Sequence, residues 1–242
     1  MNIREKIKYH INSDLLEKSS IVNSINYLLK KYENNLKGKS LLDIGCGSKP
    51  YQYLFDKLKI NYAGIDFTNF SSNYSYTQLK PDFHFSKNYK KNFKLSQLKN
   101  NSYDIITAFQ VLEHHKRPDI FFSEIKRILK PKGSLIISFP FIWELHEEPN
   151  DFQRLTHYKI EKLCLTYGLR VKEILKRGSA VSVISQLLNL SLKNLNLFPI
   201  IKKIIFMLIL VPLQLISYFY DKNMLNPERK IFLGYTFLIQ KK

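Results

Sequence analysis

Apolar positions along the chain fall into two alternating patterns. Over 13–32, Leu15, Leu16, Val22, Ile25, Leu28, Leu29 and Tyr32 recur at helical spacing, and Gly38 ends the segment. A short apolar run (Leu41, Leu42, Ile44) then meets a glycine turn, and Pro50 stands where the first turn of a helix would begin. This predicts strand, tight turn, helix. Residues 61–66 read as a second buried strand ending in an acid, 82–85 as a short strand, and 103–109 as a further strand. Helical spacing returns at Ile120, Phe121, Ile125, Ile128 and Leu129. A PKG turn at 131–133 then leads into the strand 134–140.

Beyond Pro140 lies an aromatic and acidic connection, FIWELHEEPNDFQRLTHY. Thr156 is placed to cap a helix through Ile160 and Leu163 that ends at Gly168. Strands are predicted at 169–175 and 231–239, separated by apolar helix over 180–220. Strands alternating with helices give an α/β fold with a mostly parallel sheet. One domain is expected over 1–242: helices at 1–37, a core at 38–176, an apolar helical insertion at 177–228 and a last strand at 229–242.

Composition narrows the setting. Two cysteines, Cys46 and Cys164, exclude a disulfide scaffold and a four-cysteine zinc site. The first residues lack the continuous apolar stretch of a signal peptide, so a reducing, cytoplasmic setting is expected. Thirty-eight Lys and Arg against twenty Asp and Glu give a net charge of +18, a field that attracts anions. Lys80, Lys87, Lys90, Lys91, Lys94 and Lys99 form one basic stretch opposed only by Asp82. Nucleic acid, an anionic membrane or a phosphorylated substrate would suit this charge, and so would a merely solvated surface.

The chemical signal is Asp43-Ile-Gly45-Cys46-Gly47-Ser48 between strand and helix. Its glycines permit a sharp turn and close approach to a ligand. Asp66, ending the second strand, is placed to accept from ribose hydroxyls. A G-x-G-x-x-G dinucleotide pattern would need glycine where Pro50 stands. Asp43 also suits a ligand carrying an ammonium and a sulfonium better than a pyrophosphate, which favours S-adenosylmethionine over NAD.

LLDIGCGSKPY, YAGID, YDIITAFQVLEHHKRP and EIKRILKPKGSLIIS together resemble the motifs of class I S-adenosylmethionine-dependent methyltransferases, in their small-molecule, methyltransferase-11-like branch. The resemblance covers about 38–175 and the final strand. It implies a Rossmann-like sheet of seven strands with an antiparallel last strand, partnered by the sixth. It further implies that the turn Asp43, Gly45, Cys46 and Gly47 holds the cofactor, with Gly45 and Gly47 on its methionine moiety, Asp66 on its ribose, Phe67 near adenine and Gln110 lining the pocket. The family's acid after the third strand is missing from FHFSKNYKKNF, where Ser86 or Asn88 would stand in for it.

An oxygen acceptor needs a base. His114, His146 and Asp151 are the catalytic candidates, and His115 is expected to face away. The segment after the fifth strand resembles that of methyltransferases linked to glycan and cell-envelope synthesis, matched here by His146, Pro149, Asp151, Arg154 and Thr156. Arg154 is a candidate for binding an acidic or phosphorylated acceptor, although an Asp151–Arg154 pair holding a loop fits the same residues. His146 to Asn150 lacks the second histidine of a zinc-helix motif, so no metal is expected. Nucleic acid is disfavoured, because the place of an Asn/Asp-Pro-Pro-Tyr/Phe motif holds Phe109-Gln-Val-Leu.

Residues 204–220 form an uncharged run of seventeen. A single bilayer crossing would separate the last strand from its sheet, and Pro212 and Gln214 weaken a span. A helix packed over the domain, or one lying in an anionic membrane surface beside Lys193, Lys202, Lys203 and Lys222, fits better. Membrane contact suits a glycan or lipid-linked acceptor methylated at oxygen. An RNA methyltransferase and a non-catalytic cofactor-binding or interaction protein remain as alternatives.

Overall fold

The apolar runs of the first half become adjacent strands of one sheet. In the computed structural model, which describes residues 15–67, 79–85, 93–222 and 228–242, these are β1 (Ser40–Ile44), β2 (Asn61–Asp66), β3 (Phe83–His84), β4 (Tyr103–Phe109) and β5 (Leu129–Pro140). With β6 (Leu169–Arg177) and β7 (Gly234–Lys241) they form a seven-stranded sheet in the order β3-β2-β1-β4-β5-β7-β6. All ladders among β1 to β5 are parallel; Leu41 of β1 pairs with Tyr62 on one side and Ile105 on the other. β7 runs against β6: Leu233 N donates to Arg177 O, and nine residues later Lys242 N donates to Gly168 O. Leu41, Leu42, Ile65, Ile106 and Ile137 are wholly buried, as parallel strands covered on both faces must be. The expected α/β sheet with an antiparallel last strand is the observed one.

The helices are α1 (Leu15–Lys31), α2 (Glu33–Leu36), α3 (Gln52–Asp56), α4 (Pro118–Ile128), α5 (His157–Thr166), α6 (Ala180–Asn194), α7 (Pro199–Ile205) and α8 (Val211–Lys222). α4 begins at a proline and buries Phe121, Phe122, Ile125 and Ile128 along one face. α5 starts after Thr156, whose backbone is extended as a cap requires, but its side chain makes no capping bond.

Two boundaries differ from the sequence reading. The PKG segment does not separate helix from strand. It lies inside β5, where the register jumps from Tyr103↔Leu129 to Ile105↔Ser134, so the extra residues bulge from the ladder. Gly133 fits there because a Cβ would meet Lys130 O at 2.8 Å. β7 begins at Gly234 instead of 231, because Phe232 and Leu233 belong to a different cluster, with Phe232 stacked on Phe141 and Leu233 O accepting from Phe141 N and Ile142 N.

The chain divides into two compact units. The larger comprises Ile25–Pro140, Leu145–Ile174 and Tyr235–Lys242. Within it, Glu173 of β6 accepts from Lys31 Nζ at 2.7 Å and Tyr32 Oη at 2.9 Å, fixing the end of α1.

The smaller unit comprises Phe141–Glu144, Leu175–Gly234 and, of the described N-terminal residues, 15–24. Leu16, Val183 and Leu233 form a core with Ile142, Trp143 and Tyr218 packed on it. Arg177 is wholly buried, donating to Glu17 Oε1 at 2.7 Å and Ser20 Oγ at 3.0 Å. Asp221 accepts from Ser182 Oγ and from Ser179 N. The helices turn polar side chains inward: Ser185, Gln186, Asn189, Gln214 and Ser217 are buried, whereas Phe198, Ile200, Leu208, Ile216 and Phe219 are each more than 60% exposed. α7, a π-helical turn at Phe206–Leu210 and α8 join into one apolar helix, Pro199–Asp221, with only 17% of its most apolar window buried. The π turn directly precedes Pro212, whose missing N–H breaks the regular ladder.

Candidate active site

The turn after β1 is built around two glycines with left-handed backbone. Gly45 has φ +70, and a Cβ there would lie 2.5 Å from Val111 Cγ2, so the turn can close onto the segment after β4 only without a side chain. Gly47 has φ +50 with open space where a Cβ would be. Its amide donates to Asp66 Oδ2 at 2.6 Å, while Phe67 N donates to Oδ1 at 2.7 Å. The turn and the end of β2 are thus joined through the Asp66 carboxylate, whose pKa is raised mainly by burial despite these two donors. An open cradle over Gly47 beside a buried carboxylate fits a ligand bearing a ribose.

Asp43 lies in β1, one residue before its end, directly before this turn. It is 2% exposed and accepts from Tyr62 Oη and, at 2.7 Å, from Thr107 Oγ1. Burial pushes its pKa up to about 7. Cys46 is buried too, its thiol pKa driven up by burial, with Sγ packed against the backbone of Gly64, so it adds no nucleophile to the turn. Phe67 meets Phe85 edge to face at 4.9 Å. Gln110, at φ +56, bonds Ser138 of β5 through both its backbone N–H and its side-chain amide. Ser86 and Asn88 lie outside the described residues.

A lysine and an acid that the sequence reading gave no site role complete this region. Lys49 Nζ lies 2.7 Å from Asp82 Oδ2, which also accepts from Gly64 N at 2.7 Å. Lys49 is buried at φ +58, and its ammonium reaches from the turn to the start of β3. The signal for this pair was Asp82 itself, the one acid in a basic stretch.

The catalytic candidates come together at the carboxyl end of β4. A 3-10 turn, Leu112–His114, carries Glu113 and His114; the loop after β5 carries His146 and Asp151. The loop is fastened to the turn by Phe152 N to Glu113 O at 2.9 Å and by Gln153 Nε2 to Leu112 O and His115 O at 3.0 and 2.6 Å. The His114 and His146 rings meet edge to face at 4.9 Å. His146 Nδ1 lies 3.1 Å from Asp151 Oδ2, and Arg154 grips Asp151 with both guanidinium nitrogens, holding its carboxyl down to about 2. Arg154 therefore performs the loop-holding role weighed for it, while its side chain stays partly exposed. His115 points elsewhere, between Phe93 and Phe121, and burial lowers its pKa to about 4. Glu147, exposed beside His114, contributes to raising the Asp66 pKa, so the histidine cluster and the ribose carboxylate share one electrostatic neighbourhood.

Residues 42–137 match a family model described as a methyltransferase domain. A ubiquinone biosynthesis O-methyltransferase from Bradyrhizobium sp. (strain ORS 278) is 28% identical over 116 residues, 45% of either chain. The chain spans about half the length of the curated relatives it matches. A SAM-dependent methyltransferase structure from Archaeoglobus fulgidus superposes with a TM-score of 0.55 at 17% identity, covering 90% of this chain and 93% of that one. Phosphoethanolamine N-methyltransferase 2 of Haemonchus contortus, solved with S-adenosyl-L-methionine, superposes with a TM-score of 0.53 at 16% identity, covering 91% of this chain and 52% of that one.

Proposed function

We propose that this chain, whose core is a class I S-adenosylmethionine-dependent methyltransferase domain with S-adenosylmethionine as its cofactor, methylates a hydroxyl of a lipid-linked saccharide at an anionic membrane surface. The observation that carries the acceptor reading is the 23-residue helix Pro199–Asp221, whose most apolar 18-residue window has a mean hydropathy of 2.1 and stays largely outside the protein core. So large an apolar surface is a poor face to present to water. Lys202 and Lys203 lie in the first turns of this helix and Lys193 near the end of α6, and all three suit anionic headgroups. α6 leaves from β6, and α8 leads back toward β7 in the same sheet, so the helices dip into one membrane face as a hairpin.

When bound, the cofactor supplies an electrophilic methyl on a positively charged sulfur. The turn Gly45–Gly47 would hold its methionine moiety and Asp66 its ribose, the two tied together by the Gly47 amide. Asp43 places negative potential beneath the turn. Much of the acceleration of an in-line displacement comes from such positioning. At the acceptor side, Glu113, His114 and His146 gather where an acceptor hydroxyl would be held, with the His146 ring oriented by Asp151 and the whole loop stiffened by Arg154. The curated relatives named as O-methyltransferases support oxygen as the acceptor atom.

The test is incubation of the purified protein with methyl-tritiated S-adenosylmethionine and anionic vesicles carrying a bacterial membrane-lipid extract. Label in the solvent-extractable saccharide-lipid fraction is the expected result. Label confined to RNA or to water-soluble metabolites in parallel incubations would overturn the lipid-linked acceptor.

A further inference from the structure

Glu113 has no ordinary reason to be where it is. Its side chain is 1% exposed, and neither carboxylate oxygen has a hydrogen-bond partner among the described residues. A buried carboxylate without donors is costly unless a positive charge meets it. Two imidazoles face it, Nε2 of His146 at 3.7 Å and Nε2 of His114 at 3.8 Å from Oε1, and the Arg154 guanidinium is near enough to feel its charge. These separations are too long for hydrogen bonds. The ligand atoms of the three residues all lie within 4.8 Å of one another.

The ring tautomers follow from the other nitrogens. His114 Nδ1 lies 3.0 Å from the carbonyl of Asn150, which can only accept, so Nδ1 carries the proton. His146 Nδ1 lies 3.1 Å from Asp151, which Arg154 keeps anionic. In these tautomers each ring presents its Nε2 lone pair toward Glu113. Metal-binding histidines are held in this way, the second nitrogen donating to a carbonyl or carboxylate. We infer that Glu113, His114 and His146 form a two-histidine, one-carboxylate site for a divalent transition metal of the zinc class, oriented by Asp151 and Asn150. Donors about 2.1 Å from one tetrahedral ion lie about 3.4 Å apart, so the triad, its atoms now within 4.8 Å of one another, would close around the ion by about 1 Å through side-chain rotation. Two nitrogens and one oxygen favour zinc, cobalt, iron or manganese over magnesium and calcium. The rings are partly exposed, which leaves coordination positions open, as catalytic sites require.

The absent H-E-x-x-H pattern does not bear on this site, since its ligands come from a 3-10 turn and a distant loop rather than one helix. The inference rests on reading this edge as the acceptor side only for its chemical use. There, an ion held by the three residues would acidify a nearby acceptor hydroxyl, and Glu147, whose Oε2 lies 3.9 Å from His114 Nε2, would take the proton as the O–H bond breaks.

Purified, chelator-stripped protein is titrated with cobalt(II), followed by its visible d–d absorption and by metal content after gel filtration. One ion per chain is expected, with affinity reduced at least tenfold in His146→Gln and Glu113→Gln, and about 10–100-fold in Asp151→Asn, which touches no ion itself. His84→Gln, on exposed β3, should bind as the parent does. If Glu113→Gln fails to fold, His146→Gln carries the test, with calorimetric cofactor binding as proof of an intact core. No stoichiometric uptake by protein that binds cofactor would overturn the site, as would uptake unchanged in His114→Gln and His146→Gln. Triad-dependent uptake supports the site whether or not a lipid-linked acceptor is methylated, so the two readings fail separately.

Discussion

The amide of Gly47 donates to Asp66 Oδ2 at 2.6 Å, so one carboxylate ties the turn after β1 to the end of β2. Removing it removes both a ligand contact and the clamp that shapes the cradle. Asp66→Ala is expected to weaken binding of S-adenosylmethionine and of its demethylated product about 10–100-fold, the range for losing hydrogen bonds to a charged group. Calorimetry on the folded variant measures it. Affinity within threefold of the parent would place the ribose elsewhere.

The two turn glycines should separate stability from binding. Gly45→Ala forces a methyl to 2.5 Å from Val111 and a side chain into left-handed backbone, which should cost about 2–4 kcal/mol in urea unfolding. Gly47→Ala meets no atom within 4 Å and carries only the backbone penalty of about 1–2 kcal/mol. If the space over Gly47 belongs to the cofactor, Gly47→Ala should nevertheless lose most cofactor affinity. Unchanged affinity would mean the ligand does not approach that backbone.

Asp43 gives a pH signature. Its folded pKa, raised by burial to about 7, exceeds the unfolded value of about 3.9. Between those values the folded chain keeps a proton that the unfolded chain releases. Stability from this group is therefore full at low pH and falls as pH rises toward about 7, by a few kcal/mol in all. Tyr62, Thr107, Asp66 and Lys49 are the groups that set this pKa. Urea midpoints from pH 5 to 8 should show the decline, and Asp43→Asn should flatten it. A cationic cofactor favours the ionised form, so its affinity should rise over the same interval.

The apolar hairpin predicts salt-sensitive membrane association. Flotation with anionic vesicles should succeed at low salt and weaken in Lys202→Glu/Lys203→Glu, because the electrostatic attraction is screened. Leu208→Lys with Phe219→Lys should abolish flotation while cofactor affinity stays within twofold. Flotation that survives all four changes would assign the membrane contact to another surface.

Much of the core was legible because its signals are local. Strand, acid, glycines and helix follow one another within 40–56, and Asp66 comes at the end of the next apolar run. Links across long sequence distances were not legible. Lys49 meets Asp82 thirty-three residues away, and Glu113 is singled out only once its burial and the loop bearing His146 are known. The PKG segment shows a different failure. Proline and glycine marked a turn correctly in kind, yet pairing on both sides of it absorbed the turn into β5 as a bulge. The last strand was placed three residues early because apolarity cannot tell which of two cores Phe232 and Leu233 will join.

The smaller unit hides Ser185, Gln186, Asn189, Gln214 and Ser217 while it displays Leu208, Ile216 and Phe219. Its helices bury these polar side chains alongside Leu190, Leu192 and Leu210 and turn large apolar ones outward. A preparation made without lipid or detergent will therefore satisfy those faces with other copies of the chain, giving polydisperse particles whose size falls as amphiphile is added. Such behaviour during purification would be a property of the fold, and trimming the surface leucines to cure it would also remove the surface on which the proposed membrane contact rests.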